Sequence, residues 1–168
     1  MARSSQPVPQ TSATSTDLAE FPGHQIRRLQ QIAVAIFLQE TEMYGITPVQ
    51  CAAMITVSDN RGMDQRTLAR TIGFDTSTIA GVIDRLEARG LVRRSMSALD
   101  ARVRLIMLTE KGRALLDSSM PAVVRAQHRM LSPLSRAERA EFMRMLCKLV
   151  GANNELSRAP AAIDATGG

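Results

Sequence analysis

Between Asp75 and Thr109 the hydrophobic period of the chain changes. Ile79, Val82, Ile83 and Leu86 recur at intervals of three and four, the spacing of one apolar helix face. After Gly90 the interval falls to two. LVRRS and RVRLIML are β-prone runs separated by a polar loop. In the second, Val103, Leu105 and Met107 alternate with Arg102, Arg104 and Ile106, as in a half-buried strand. A short helix feeding directly into a basic hairpin restricts the rest of the chain to elements that can hold such a unit.

The flanking residues supply them. A helix is expected over Pro22–Met43, with Pro22 in its first turn and Gly45 as its stop. Thr47-Pro48-Val49-Gln50 is a capping box that opens a second helix ending near Asp59. Asp64 caps a third, short helix that ends at Gly73, and Asp75 caps the fourth. Met63 with Leu68, and Phe74 with Ile79, are placed as hydrophobic staples. Two short stapled helices with a tight Gly73-Phe74 link read as a helix-turn-helix, and the hairpin after it makes a wing. A fifth helix runs from Thr109 to about Leu131, and Pro121 inside it is expected to kink or split it. The sixth opens on the capping box Ser135-Arg136-Ala137-Glu138 and carries the stripe Phe142, Met145, Leu146, Leu149 and Val150. The fold class is therefore mainly α with a small β-hairpin.

Charge sharpens the reading. The net charge is +5, and 19 of the 21 basic residues are Arg. From Arg61 to Arg104 there are nine Arg against five acids, a local balance of +4 that accounts for most of the excess. Arg favours bidentate recognition of phosphate or guanine. On the fourth helix the outer face is small or polar: Ser77, Gly81, Asp84 and Ala88, flanked by Thr78 and Arg85. Such a face can lie deep in a major groove. Thr76, Ser77, Thr78 and Arg85 are the expected major-groove residues, Gln65 and Arg66 the expected backbone contacts. Arg93, Arg94, Arg102 and Arg104, with Asp100 bracing a guanidinium, are the expected wing residues for a minor groove. Asp84 is anomalous, since an outward carboxylate repels phosphate; accepting from cytosine N4 and orienting an Arg are both open. The bland alternative is an ordinary amphipathic helix and a surface hairpin with solvated charges. The order of the motifs favours double-stranded DNA.

Other functions find little support. With two His, no metal-ligand cluster, no Gly-rich phosphate loop and no nucleophile motif, neither an enzyme nor a cofactor is expected. No secretory segment and no apolar run near the ~18 residues of a membrane span is visible, so a cytoplasmic setting and no membrane partner are expected. Cys51 and Cys147 have no CxxC spacing.

QRTLARTIGFDTSTIAGVIDRLEARGLVRR followed by DARVRLIMLTEKG resembles the MarR family of winged-helix transcriptional regulators. The similarity spans roughly residues 21–150, and the Asp100-x-Arg102-x-Arg104 and IDRLEARGLV segments are its specific parts. It implies a homodimer, pseudo-palindromic DNA, repression, and release by a small, often aromatic, anionic inducer. The corresponding division is a disordered arm (1–21), a first dimerisation helix (22–46), a winged helix-turn-helix DNA-binding domain (47–108), two further dimerisation helices (109–155) and a flexible tail (156–168). In this family, basic residues of the first helix lie near the ligand carboxylate. His24, Arg27 and Arg28 are the matching cations, with Met54 and His128 as further walls. PGHQIRRLQQIAVAIF and YGITPVQCAA are similar to regulators of aromatic and nicotinate catabolism, which implies a hydroxynicotinate or hydroxybenzoate inducer. Two rival readings keep the same fold: a thiol redox sensor using Cys51 or Cys147, and a constitutive DNA-binding protein without inducer.

Overall fold

The computed structural model describes residues 17–60, 62–96 and 102–157. Six α-helices and a small sheet follow in the order α1 (Pro22–Glu40), α2 (Pro48–Asp59), β1 (Met63–Asp64), α3 (Gln65–Ile72), α4 (Thr76–Ala88), β2 (Val92–Met96), β3 (Arg104–Leu108), α5 (Glu110–Met130) and α6 (Arg136–Ala152). The chain is mainly helical, and the wing is larger than a hairpin. A two-residue strand, β1, pairs antiparallel with β3 through Met63–Ile106 and Asp64–Leu105, so the sheet order is β1-β3-β2.

Local signals set most boundaries. Thr47 and Gln50 exchange bonds in a complete capping box on α2, as Ser135 and Glu138 do on α6. Gly73 (φ 70°) and Gly90 (φ 69°) end α3 and α4. At each, two amides turn back to the last carbonyls: Phe74 to Ala69 and Gly73 to Arg70, then Leu91 to Leu86 and Gly90 to Glu87. The first helix is shorter than its periodicity suggests. It stops at Glu40, because the Thr41 hydroxyl turns back to the Phe37 carbonyl and a 3-10 turn over Glu42–Tyr44 follows. Pro121 does not split α5, which runs unbroken from Glu110 to Met130. The residues after it, Ala122, Val123 and Ala126, are buried, Val123 and Ala126 in a cluster with Phe37. That packing outweighs one lost hydrogen bond.

The main core lies between α2, α3, α4, the sheet and the start of α5. Met54, Leu68, Ile79, Ile83 and Leu86 are fully buried there, each stabilising by about 1.5–3 kcal/mol. The backbone of α5 presses on this core at Gly112. A Cβ there would stand 1.9 Å from the Leu91 carbonyl oxygen, so only glycine fits. Outside the core, α6 buries none of its residues in the single chain. Among the described residues no helix is long and apolar enough to cross a membrane.

Candidate nucleic-acid interface

The tip of α4 is built around Asp75. Its Oδ1 accepts from the Thr78 amide at 2.7 Å and the Ser77 hydroxyl at 2.5 Å, and its Oδ2 accepts from the Thr78 hydroxyl at 2.6 Å. The Ser77 hydroxyl, followed by that of Thr78, holds the Asp75 carboxyl well below the usual carboxylate range. An ionised carboxylate cannot donate, so both hydroxyls must. Ser77 and Thr78 therefore face outward as acceptors, not as the donors to phosphate that their residue type suggests. Thr76, Ser77 and Thr78 are all exposed. Gln65 Nε2 donates to the Thr76 carbonyl at 3.3 Å, which ties the start of α3 to the first turn of α4. Arg66 is exposed, while its amide serves the Asp64 cap. Arg85 is also exposed and lies along α4, its guanidinium 3.8 Å from where a Gly81 Cβ would stand.

Asp84 finds its role in the wing. Arg94 Nη2 donates to Asp84 Oδ1 at 2.6 Å, and Arg94 Nη1 pairs with Glu87 Oε2. The Arg94 amide also donates to Glu87 Oε1 at 3.0 Å. Arg94 is therefore turned back onto α4 and is not displayed as a wing contact. Its side chain is 23% exposed. Burial opposes its charge, but the two carboxylates outweigh that and raise its pKa. The cause is strand alternation: Arg94 is opposite Ile106 in register, and Ile106 is the β3 residue that enters the core. The same register corrects the facing of β3. Val103, Leu105 and Met107 look like the buried set, yet Leu105 and Met107 are only half-buried and the deepest position is Ile106. Arg93 is opposite Met107 and points away from α4, exposed. Arg104, opposite Met96, and Arg102 are exposed at the far end of the wing. Asp100 lies outside the described residues.

The five residues expected around a ligand are not gathered in one place by the single chain. His24 is half-buried, and Arg27 and Arg28 are exposed on α1. His128 is exposed near the end of α5. Met54 is 0% exposed within the winged-helix core and presents no surface. It sits on the inward face of α2. A groove of about 450 Å³ opens instead at the other end of α1, lined by Leu38, Thr41, Glu42, Gly45 and Ile46 among others. Cys51 is buried and burial raises its pKa, the reverse of what a reactive thiolate needs. Cys147 is exposed in the single chain.

Two long-range contacts have no local sequence signature. Glu40 joins α1 to α5 by accepting from Arg125 Nε at 3.3 Å and Arg129 Nη1 at 3.1 Å. Arg89, at the end of α4, donates through Nη1 to the Gly45 carbonyl at 2.6 Å and through Nη2 to the Tyr44 carbonyl at 3.1 Å. Each is a long-range pairing that no helical or strand period announces.

Comparison with known proteins agrees with this geometry. The sequence pattern of the MarR family matches residues 44–103. The chain is 31% identical over 137 residues to the HTH-type transcriptional repressor NicR of Pseudomonas putida, covering 82% of this chain and 87% of that one. Among solved structures it is similar to BpsR of Bordetella bronchiseptica, whose DNA binding is regulated by 6-hydroxynicotinic acid. There the TM-score is 0.75 and the identity 31%, over 79% of this chain and 94% of BpsR. It is also similar to the transcriptional repressor CouR bound to a 23-mer DNA duplex, with a TM-score of 0.76 and 30% identity over 83% of this chain and 99% of CouR.

Proposed function

The chain belongs to the MarR family as a DNA-binding transcriptional repressor and not an enzyme, and we propose that it acts as a homodimer on a pseudo-palindromic operator from which a small aromatic acid releases it. One observation carries the dimer. Met145, Leu149 and Val150 of α6 are 46%, 57% and 61% exposed. A helical apolar stripe left in water beside a well-filled core favours a second copy as its cover. A two-fold dimer then presents two α4 tips to successive major grooves, with Arg93, Arg102 and Arg104 of each wing beside the flanking minor grooves.

For the inducer, hydroxynicotinate is the first choice and hydroxybenzoate the second. Support comes from the likeness to BpsR and from the cations of α1. Arg28 lies four residues after His24 on the same helix face, and among the described residues it has no ion pair. A carboxylate docked on that pair gains charge-assisted hydrogen bonds, and an apolar wall from the partner copy would enclose the ring.

Thermal-shift and operator-release measurements with 6-hydroxynicotinate and 4-hydroxybenzoate test this together. An inducer at a hundred times its dissociation constant raises stability by about 2.7 kcal/mol. Arg28→Ala is expected to keep DNA binding and dimerisation while abolishing release. A variant that still lets go of the operator at the same inducer concentration removes α1 from the site.

A further inference from the structure

The C-terminal end of α4 is held by the link between α1 and α2. Arg89 is the last residue before the Gly90 turn, and its guanidinium forks to two successive carbonyls, Tyr44 and Gly45. Those carbonyls belong to the link between α1 and α2, 44 and 45 residues earlier in the chain. Gly45 adopts φ 59°, a turn that places both carbonyls on one guanidinium. On the other side, Lys111 Nζ donates to the Arg89 carbonyl at 2.8 Å, and the Thr109 hydroxyl donates to the Gly90 carbonyl at 2.7 Å. The end of α4 is thus bonded both to the α1–α2 link and to the start of α5.

We infer that Arg89 is a positioning residue for DNA reading: it sets the angle of α4 relative to α1, and through α1 the separation of the two recognition helices in a dimer. The inference rests on the dimeric operator reading above. Within the winged unit α4 is also bonded to α3 through Gln65 and to β2 through Arg94, but those partners travel with it, and its other contacts are aliphatic, through Ile79, Val82, Ile83 and Leu86. Dispersion and hydrophobic contact resist pulling the helix away, but they are non-directional and resist a small rotation weakly. Hydrogen bonds to fixed carbonyls do resist it. Leverage makes this matter. A helix of 13 residues is about 20 Å long, so a tilt of roughly 10° about the Arg89 end moves the Thr76 end by about 3 Å. That distance exceeds the tolerance of a hydrogen bond to a base edge.

A positioning role has a signature that a phosphate contact lacks. Affinity is measured on operators whose half-sites are moved apart by about one, two and five base pairs, against a helical repeat near 10.5. The intact protein is expected to show a sharp optimum. Arg89→Gln is expected to lose about tenfold at that optimum, the worth of one charge-assisted hydrogen bond. The spacing profile flattens, while dimerisation and the salt dependence of binding stay unchanged. Arg89→Lys keeps the charge but not the fork; it restores part of the optimum and serves as the test if Arg89→Gln does not fold. A tenfold loss at every spacing with a shallower salt slope assigns Arg89 to phosphate and overturns the inference. An unchanged profile in both variants overturns it as well. If the intact protein itself shows no spacing optimum, the dimeric operator reading fails first, and the two failures are told apart.

Discussion

In α4, Ile79, Val82, Ile83 and Leu86 are at most 1% exposed; in α6, Met145, Leu149 and Val150 are 46% to 61% exposed. Both helices carry apolar residues at helical spacing, and both are well capped. The difference lies in what the rest of the chain offers them. Around α4 the chain supplies α2, α3 and a three-stranded sheet, and the polar groups at the edges are paired: Asp84 and Glu87 with Arg94, Arg89 with Tyr44 and Gly45. Around α6 the described residues supply no cover of comparable depth. One region completes its own core. The other holds a stripe that becomes a core only against another surface. Stability of the first is a property of one chain, and in the proposed dimer stability of the second would depend on protein concentration.

Gly112 is where the closed region breaks hardest. Its Cβ position lies 1.9 Å from the Leu91 carbonyl oxygen, a backbone atom that no rotamer change can move. Gly112→Ala must therefore shift α5 away from the sheet. We expect a loss of about 3 kcal/mol or more, read in a thermal melt as a fall of roughly 10 °C in Tm. A melt within ~2 °C of the unchanged protein would mean the α5–wing contact is soft. Leu149→Glu tests the open region. Leu149 is 57% exposed in the single chain and lies outside the core, so helicity and the α4 core should survive. The dimer dissociation constant should rise about a hundredfold, near 2.7 kcal/mol. Sedimentation showing an unchanged dimer would take α6 out of the interface.

The same contrast governs what the sequence could disclose. Asp64, Asp75, Thr47 and Ser135 announce their helices because a cap and its target lie within three residues. Gly73 and Gly90 announce the ends for the same reason. Strand alternation divides β3 into two faces but cannot say which one meets α4. Val103, Leu105 and Met107 look the more apolar set; register with Arg94 puts Ile106 inward instead. β1 is two residues long, too short to show a period. The partner of Asp84 lies ten residues away on another element, and the partners of Arg89 more than forty away, beyond any local rule. Gly112 resembles any helix glycine until the Leu91 carbonyl is placed against it. For the ligand, His24, Arg27 and Arg28 share α1, but the walls expected at Met54 and His128 do not join them, Met54 being 0% exposed in the core. In the proposed dimer the enclosing walls would come from the partner copy.

The finest division runs inside the wing, between two adjacent arginines. Arg93 and Arg94 have the same charge, but alternation sends them to opposite faces, one to solvent and one to Asp84 and Glu87. Each glutamine substitution is expected to weaken operator binding by about 1–2 kcal/mol, so affinity alone will not separate them. Salt dependence will. A phosphate contact releases a counterion, and in a two-fold dimer losing Arg93 removes two such contacts. Arg93→Gln should make the slope of log affinity against log salt shallower by about 1.8. Arg94→Gln should leave the slope where it was, because its guanidinium neutralises carboxylates of its own chain. Removing Asp84 and Glu87 as well should then add little to the Arg94→Gln loss, since the three act as one unit. Equal slope changes in the two glutamine variants would place Arg94 on the DNA after all, and the clamp on α4 would open on binding.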